Sequence, residues 1–214
     1  MSLSGYINRI RHNRGYGVQS PSAFFFVTEV LKEKLPYYAY AEIDKIYDKK
    51  GFFSKKHARD LFKITNYFSP ASSIAVASPI ASAIMALAKP SVHKYCIAKK
   101  VDENIKNLLD ANYCTITEDN SVQALSKTIA KSGGVGILYI GKCQEQAALL
   151  DAALPFTNKK SIIVVEGINR SKESRIWWQK TIKDPRTIVT YDMYSYGILF
   201  FDNEKRKQNY TLKR

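Results

Sequence analysis

The stretch SSIAVASPIASAIMALAK, from Ser72 to Lys89, reads as a buried strand, a tight turn and a buried helix. Ile74-Ala75-Val76 is a short apolar run of the kind that fills the middle of a sheet. Ser78-Pro79 is a helix start: a hydroxyl caps the free N–H groups, and proline takes the first helical position, where no N–H is missed. From Ile80 to Leu87 almost no polar face remains, so this helix is expected inside. A strand that runs into such a helix past its carboxyl end is where open α/β sheets hold ligands. Turns of this kind carry glycines so that the backbone can approach the ligand, and Ala77-Ser78-Pro79 has none.

Downstream, strand and helix alternate with short connections, the pattern of a parallel sheet built from βαβ units. Strands are expected at Ile74 to Ala77, Lys94 to Ile97, Cys114 to Thr117, Ile137 to Ile140 and Ile162 to Val165. Helices are expected from Pro79, from about Asp102 as cap, from Ser121, and from Gln144 to Leu154. Ser171 caps a last helix carrying Ile176, Trp177, Trp178 and Ile182. Thr187 to Tyr191 and Ile198 to Phe201 are joined by a link too short for a crossover helix, so they form an antiparallel hairpin or lie apart. The stretch from Asn203 to Arg214 reads as a polar, basic tail.

Upstream, residues 1–70 read as an arm and a helical extension, and residues 71–214 as the α/β domain. Ser20-Pro21 opens a helix to about Leu35 with Phe24, Val27, Val30 and Leu31 on one face. A short second helix turns Ile43, Ile46 and Tyr47 inward, and Ser54 caps a third that turns in Leu61, Phe62, Ile64 and Phe68. Lys55, Arg59 and Lys63 recur every four residues and are expected to share an outer face, normally a solvated one.

The chain has 214 residues, 45% of them hydrophobic, enough for one sizeable domain. Its longest apolar run is about fifteen residues and broken by Pro79, short of a bilayer span, and the charged N-terminus lacks a signal peptide's apolar core. A cytoplasmic protein is expected. Cys96, Cys114 and Cys143 form no CxxC pair, and His12, His57 and His93 have no ligands at metal spacing. The net charge of +14 implies an anionic partner or a self-repelling surface.

Together these features resemble the class I S-adenosylmethionine (SAM)-dependent methyltransferase fold, a Rossmann-like, mostly parallel sheet with an antiparallel C-terminal hairpin, here preceded by helices. The chain is similar more narrowly to a group of small bacterial methyltransferase-like proteins. The residues that carry this are Gly17-Val18-Gln19-Ser20-Pro21, Tyr37-Tyr38-Ala39-Tyr40, Glu166-Gly167-Ile168, Trp177-Trp178, and Asp192 with Gly197-Ile198-Leu199-Phe200-Phe201.

The resemblance implies SAM as cofactor, with Ala77, Ser78, Ala98, Asp119, Gly141 and Glu166 at the pocket positions. Those positions depart from the family's pattern. The first strand ends without an acidic residue or glycine loop, and Cys96-Ile97-Ala98-Lys99-Lys100 offers no carboxylate to the ribose hydroxyls. Glu118-Asp119 retains acids that either meet the adenine amino group or, with Asn120, cap the next helix. Gly141-Lys142-Cys143-Gln144 stands where the family shows an aspartate-glycine and a histidine, and Glu166-Gly167 where it shows paired aspartates, so no metal is expected.

Two readings follow. One is a methyltransferase-like protein whose cofactor motifs are eroded, acting, if active, on an unidentified methyl acceptor. The alternative is a non-catalytic module holding nucleic acid or another polyanion through Arg9, Arg11, Arg14, Lys55, Arg59, Lys63, Lys99 and Lys100, with Lys94 nearby. A third, a scaffold partner of an active homologue, leaves no trace in the residues.

Overall fold

The computed structural model describes residues 20–47 and 53–212. Arg9, Arg11, Arg14 and His12 therefore lie outside the described residues. Eight strands form one sheet: β1 (Ser72–Val76), β2 (His93–Ile97), β3 (Cys114–Thr117), β4 (Ile137–Ile140), β5 (Ile162–Glu166), β6 (Val189–Asp192), β7 (Tyr196–Phe200) and β8 (Gln208–Thr211). Their order is β3-β2-β1-β4-β5-β7-β6-β8. β1 to β5 are parallel, and β7 inserts antiparallel between β5 and β6. The expected alternation and terminal hairpin are thus present.

β1 is apolar on both sides because both faces are covered. Ala75 joins a core with Leu61, Ile64, Ile84, Tyr139 and Val164, while Ile74 and Val76 join Leu125, Leu149, Leu150 and Trp178 on the other face. Helices α1 (Pro21–Phe25), α2 (Ala39–Ile46), α3 (Lys55–Phe68) and α4 (Pro79–Ala88) contribute to the first core. α5 (Glu103–Ala111) packs with α4 and β2, and α6 (Val122–Ser132), α7 (Gln146–Ala153) and α8 (Lys172–Thr181) cover the second face. Ser54, Ser78, Asp102, Ser121 and Ser171 each accept a backbone N–H as N-caps, as the sequence predicts. No helix among the described residues is long and apolar enough to cross a membrane.

Three expectations are corrected. The first helix does not continue as an α-helix: after Phe25 it widens into a π-helical turn over Phe26–Leu31, with Lys32 N–H bonded to Val27 C=O at 3.2 Å. The wider turn rotates the inward face, so Phe26 is buried and Phe24 is 47% exposed. The C-terminal stretch is not a tail throughout, since β8 pairs parallel with β6 and buries Tyr210 and Leu212. Polar residues at an edge strand hide its period from the sequence.

The third correction concerns the lysines. Lys63 is 6% exposed; its ammonium donates to the Leu31 carbonyl and, at 3.4 Å, to that of Glu33. The end of the first helix covers α3 at Lys63, whereas Lys55 stays exposed and Arg59 half-buried on the expected outer face. Lys94 is 1% exposed and donates to Pro90 and Lys89 carbonyls at the start of β2, away from the carboxyl edge.

Candidate functional site

In-register parallel pairing brings the ends of β1 to β5 to one edge, and with them the six pocket positions. Val76 lies opposite both Ile97 and Ile140, Ile97 opposite Thr117, and Ile140 opposite Val165. Ala77 and Ser78 turn out of β1, Ala98 follows β2, Asp119 follows β3, Gly141 follows β4 and Glu166 ends β5.

The side chains at these positions are mostly small or engaged in local bonds. Ala98 is buried and followed by the exposed Lys99 and Lys100, so β2 ends in positive charge without an acceptor for a ribose diol. Asp119 is engaged in its own turn: Oδ2 accepts from the Ser121 hydroxyl at 2.7 Å and Oδ1 from the Ser121 N–H at 2.9 Å. These bonds, the hydroxyl's first, hold its carboxyl below the usual range. Ser121 is the N-cap of α6, and Asp119 braces it instead of capping the helix itself.

The ends of β1 and β4 pack directly on each other. Gly141 N–H donates to Val76 C=O at 2.8 Å, and a Cβ on Gly141 would stand 2.4 Å from the Ala77 carbonyl oxygen. On the β5 side the Gln146 side-chain amide donates to the carbonyls of Gly141 at 3.0 Å and Glu166 at 2.7 Å, tying the two strand ends together. An open cleft of about 640 Å³ remains farther along the edge, lined by Lys142, Arg170 and the half-buried Trp177. Trp178, by contrast, is 1% exposed and lies flat on Gly197.

Ala77 keeps a backbone conformation that suits glycine, with φ 57°. An L-residue there carries about 1–2 kcal/mol of strain, against about 0.5–1 kcal/mol that glycine loses in chain entropy. Ala77→Gly is therefore expected to stabilise the protein by about 0.5–1 kcal/mol in urea denaturation. A destabilised variant would mean that the Ala77 methyl group contributes more by packing than its backbone costs.

The structure also assembles a buried polar cluster under this edge that the sequence reading missed. His57 is 1% exposed and stacks between Tyr196, with centroids 3.9 Å apart, and Phe53, at 4.4 Å. Its Nε2 lies 3.4 Å from the Tyr139 hydroxyl. Burial first, then the charge and hydrogen bond of Glu166, push the Tyr139 phenol well above its ordinary value. The Tyr196 hydroxyl donates to Asp60 at 2.7 Å, and Asp60 pairs with the Lys63 ammonium at 3.7 Å. The signal available in sequence was that His57 and Asp60 fall with Leu61 and Ile64 on the apolar side of α3.

Of the proposed nucleic-acid residues among those described, Lys55, Arg59 and Lys63 line one cleft, and Lys99 and Lys100 follow β2. Lys55 and Arg59 both pair with Asp44 of α2, at 2.5 and 3.1 Å, and Arg59 stacks over Tyr40. Among the described residues no group of three or more His, Cys, Asp or Glu is placed to hold a metal. Burial pushes the Cys96 thiol up to about 12 and raises those of Cys114 and Cys143, as inert thiols require.

No protein-family model and no curated protein matches the sequence. Solved structures do. The SAH-bound methyltransferase PaMTH1 of Podospora anserina superposes with a TM-score of 0.60 at 8% identity, over 86% of this chain and 96% of that one. Cofactor-bound Rv0187 from MTB gives 0.58 at 13% identity, over 86% and 99%. The SAH-bound O-methyltransferase from Bacillus cereus gives 0.56 at 10% identity, over 84% and 97%. The chain has the Rossmann-like class I methyltransferase fold.

Proposed function

We propose that this is a SAM-dependent-methyltransferase-like protein that has kept the scaffold and closed its donor site, so that it neither binds SAM in the manner of its structural relatives nor transfers a methyl group. The observation that carries the reading is the direct packing of the Ala77-Ser78 turn on Gly141, where the backbone of one strand end occupies the approach to the other. The missing carboxylate after β2 and the engaged Asp119 support it. Methyl transfer depends mainly on holding donor and acceptor in line, so losing the donor's cradle removes most of the available catalysis.

Isothermal titration with SAM and with SAH, at low and at physiological salt, tests this. No heat and no shift in melting temperature are expected. Micromolar binding of either compound would overturn the reading and return the chain to the active enzymes of this fold.

The alternative role, holding nucleic acid or another polyanion, keeps Lys99 and Lys100, both exposed beside the carboxyl end of β2. If it holds, affinity for a single-stranded oligonucleotide falls steeply with salt, and replacing both lysines by alanine reduces that slope by about 1–2.

A further inference from the structure

On the edge opposite the closed site, where β5 and β6 begin and β7 ends, a groove of about 440 Å³ opens between the sheet, the first helix and the C-terminal end of α3. Its wall is a run of rings in contact. Phe25 meets Tyr67 at 5.8 Å between centroids, Tyr67 meets Phe68 at 4.9 Å, Phe68 meets Phe200 at 5.4 Å and Phe200 meets Tyr191 at 5.9 Å. Phe25, Tyr67 and Phe68 are 45%, 52% and 36% exposed. Scattered exposed apolar residues need no explanation, but contiguous aromatic rings lining a concave surface do. The volume lies within the roughly 300–1,000 Å³ of small-molecule sites.

The rim has one sign of excess charge. Lys159 is paired with Glu204 at 3.1 Å and Lys205 with Asp202 at 3.4 Å, whereas the exposed Lys160 ammonium has no partner among the described residues. A wall of contiguous rings suits a hydrocarbon body, and a sugar's hydroxyls laid along those rings would go unpaired. Residues 1–19, which precede the groove residue Ser22 in sequence, contain arginines and no acidic residue, so the lysine rim disfavours them as its occupant.

We infer that this groove binds an amphipathic carboxylate, its hydrocarbon body laid along Phe25, Tyr67, Phe68 and Phe200 and its anionic head at Lys160. Because the groove and the carboxyl edge lie at opposite ends of the strands, this inference and the proposed loss of SAM binding stand or fall separately.

Isothermal titration of the full chain with octanoate, decanoate and dodecanoate, each below its micellar concentration, tests it. Saturable one-to-one binding is expected, tighter by about fourfold per added methylene until the groove is filled. Lys160→Glu is expected to weaken decanoate at least tenfold, and Tyr67→Ser to flatten the dependence on chain length, both with unchanged melting temperature. 1-Decanol, which has the body without the charge, should bind about tenfold more weakly than decanoate. Absence of saturable binding, or affinity indifferent to Lys160→Glu, overturns the inference. So does a concentration-dependent dimer that Tyr67→Ser abolishes while decanoate binds nowhere, since the groove would then be occupied by a second copy of the chain.

Discussion

Asp60→Ala is expected to destabilise the protein by about 3–5 kcal/mol, the usual result of removing one partner from a buried ion pair. Asp60 is 2% exposed and accepts from the Tyr196 hydroxyl at 2.7 Å, with the Lys63 ammonium at 3.7 Å. Without the carboxylate, Lys63 keeps its bonds to the Leu31 and Glu33 carbonyls but loses its neutralising charge. Asp60→Asn retains an acceptor for Tyr196 and should cost less, about 1.5–3 kcal/mol. In the Asp60→Ala, Lys63→Met double variant the stranded ammonium is gone, so much of the loss should be recovered. Urea midpoints at constant m-value measure all three. A double variant as unstable as the sum of the singles would show that the two residues are not coupled.

Gly141→Ala is expected to cost about 3 kcal/mol, at the upper end of overpacking effects. The new Cβ would meet the Ala77 carbonyl oxygen at 2.4 Å, its carbonyl carbon at 2.7 Å and Ser78 Cβ at 2.8 Å. These are backbone or backbone-adjacent atoms that cannot rotate away, so the ends of β1 and β4 must part. Gly133→Ala is the contrasting case. No atom lies within 4 Å of its added Cβ, but φ is +75° at this helix end, so only the conformational cost of about 1–2 kcal/mol applies. Thermal and urea denaturation of the two variants should rank them in that order. A near-neutral Gly141→Ala would mean that the β1–β4 crevice is looser than the structure has it, and with that the case for a closed donor site weakens.

Most of the candidate edge was legible before the structure because strand ends follow from local pattern. The run Ile74-Ala75-Val76 ending at Ser78-Pro79 places the first turn, and the next strand runs end just before Ala98, Asp119 and Gly141 in the same way. Parallel pairing then brings those ends together with little further choice. What the sequence could not show was the use of each group there: that Asp119 is engaged by Ser121, or that Gly141 is a glycine because a neighbouring carbonyl presses on it. Glycine usually signals backbone freedom or ligand approach, and here it signals strand-to-strand contact.

The amino-acid sequence by itself determined the alternation of strands and helices, their N-caps, the terminal hairpin and therefore the fold, since each depends on neighbours within a few residues. Tertiary structure alone decided which polar side chains go inside. Lys63 repeats at a helical spacing that elsewhere means solvent, and carbonyls such as those of Leu31 and Glu33, thirty-two and thirty positions earlier, make it a buried donor. Asp60 finds Tyr196 across 136 positions, and His57 lies between Tyr196 and a phenylalanine near its own helix. Burial of charge depends on partners that long-range packing delivers, and no local period encodes them.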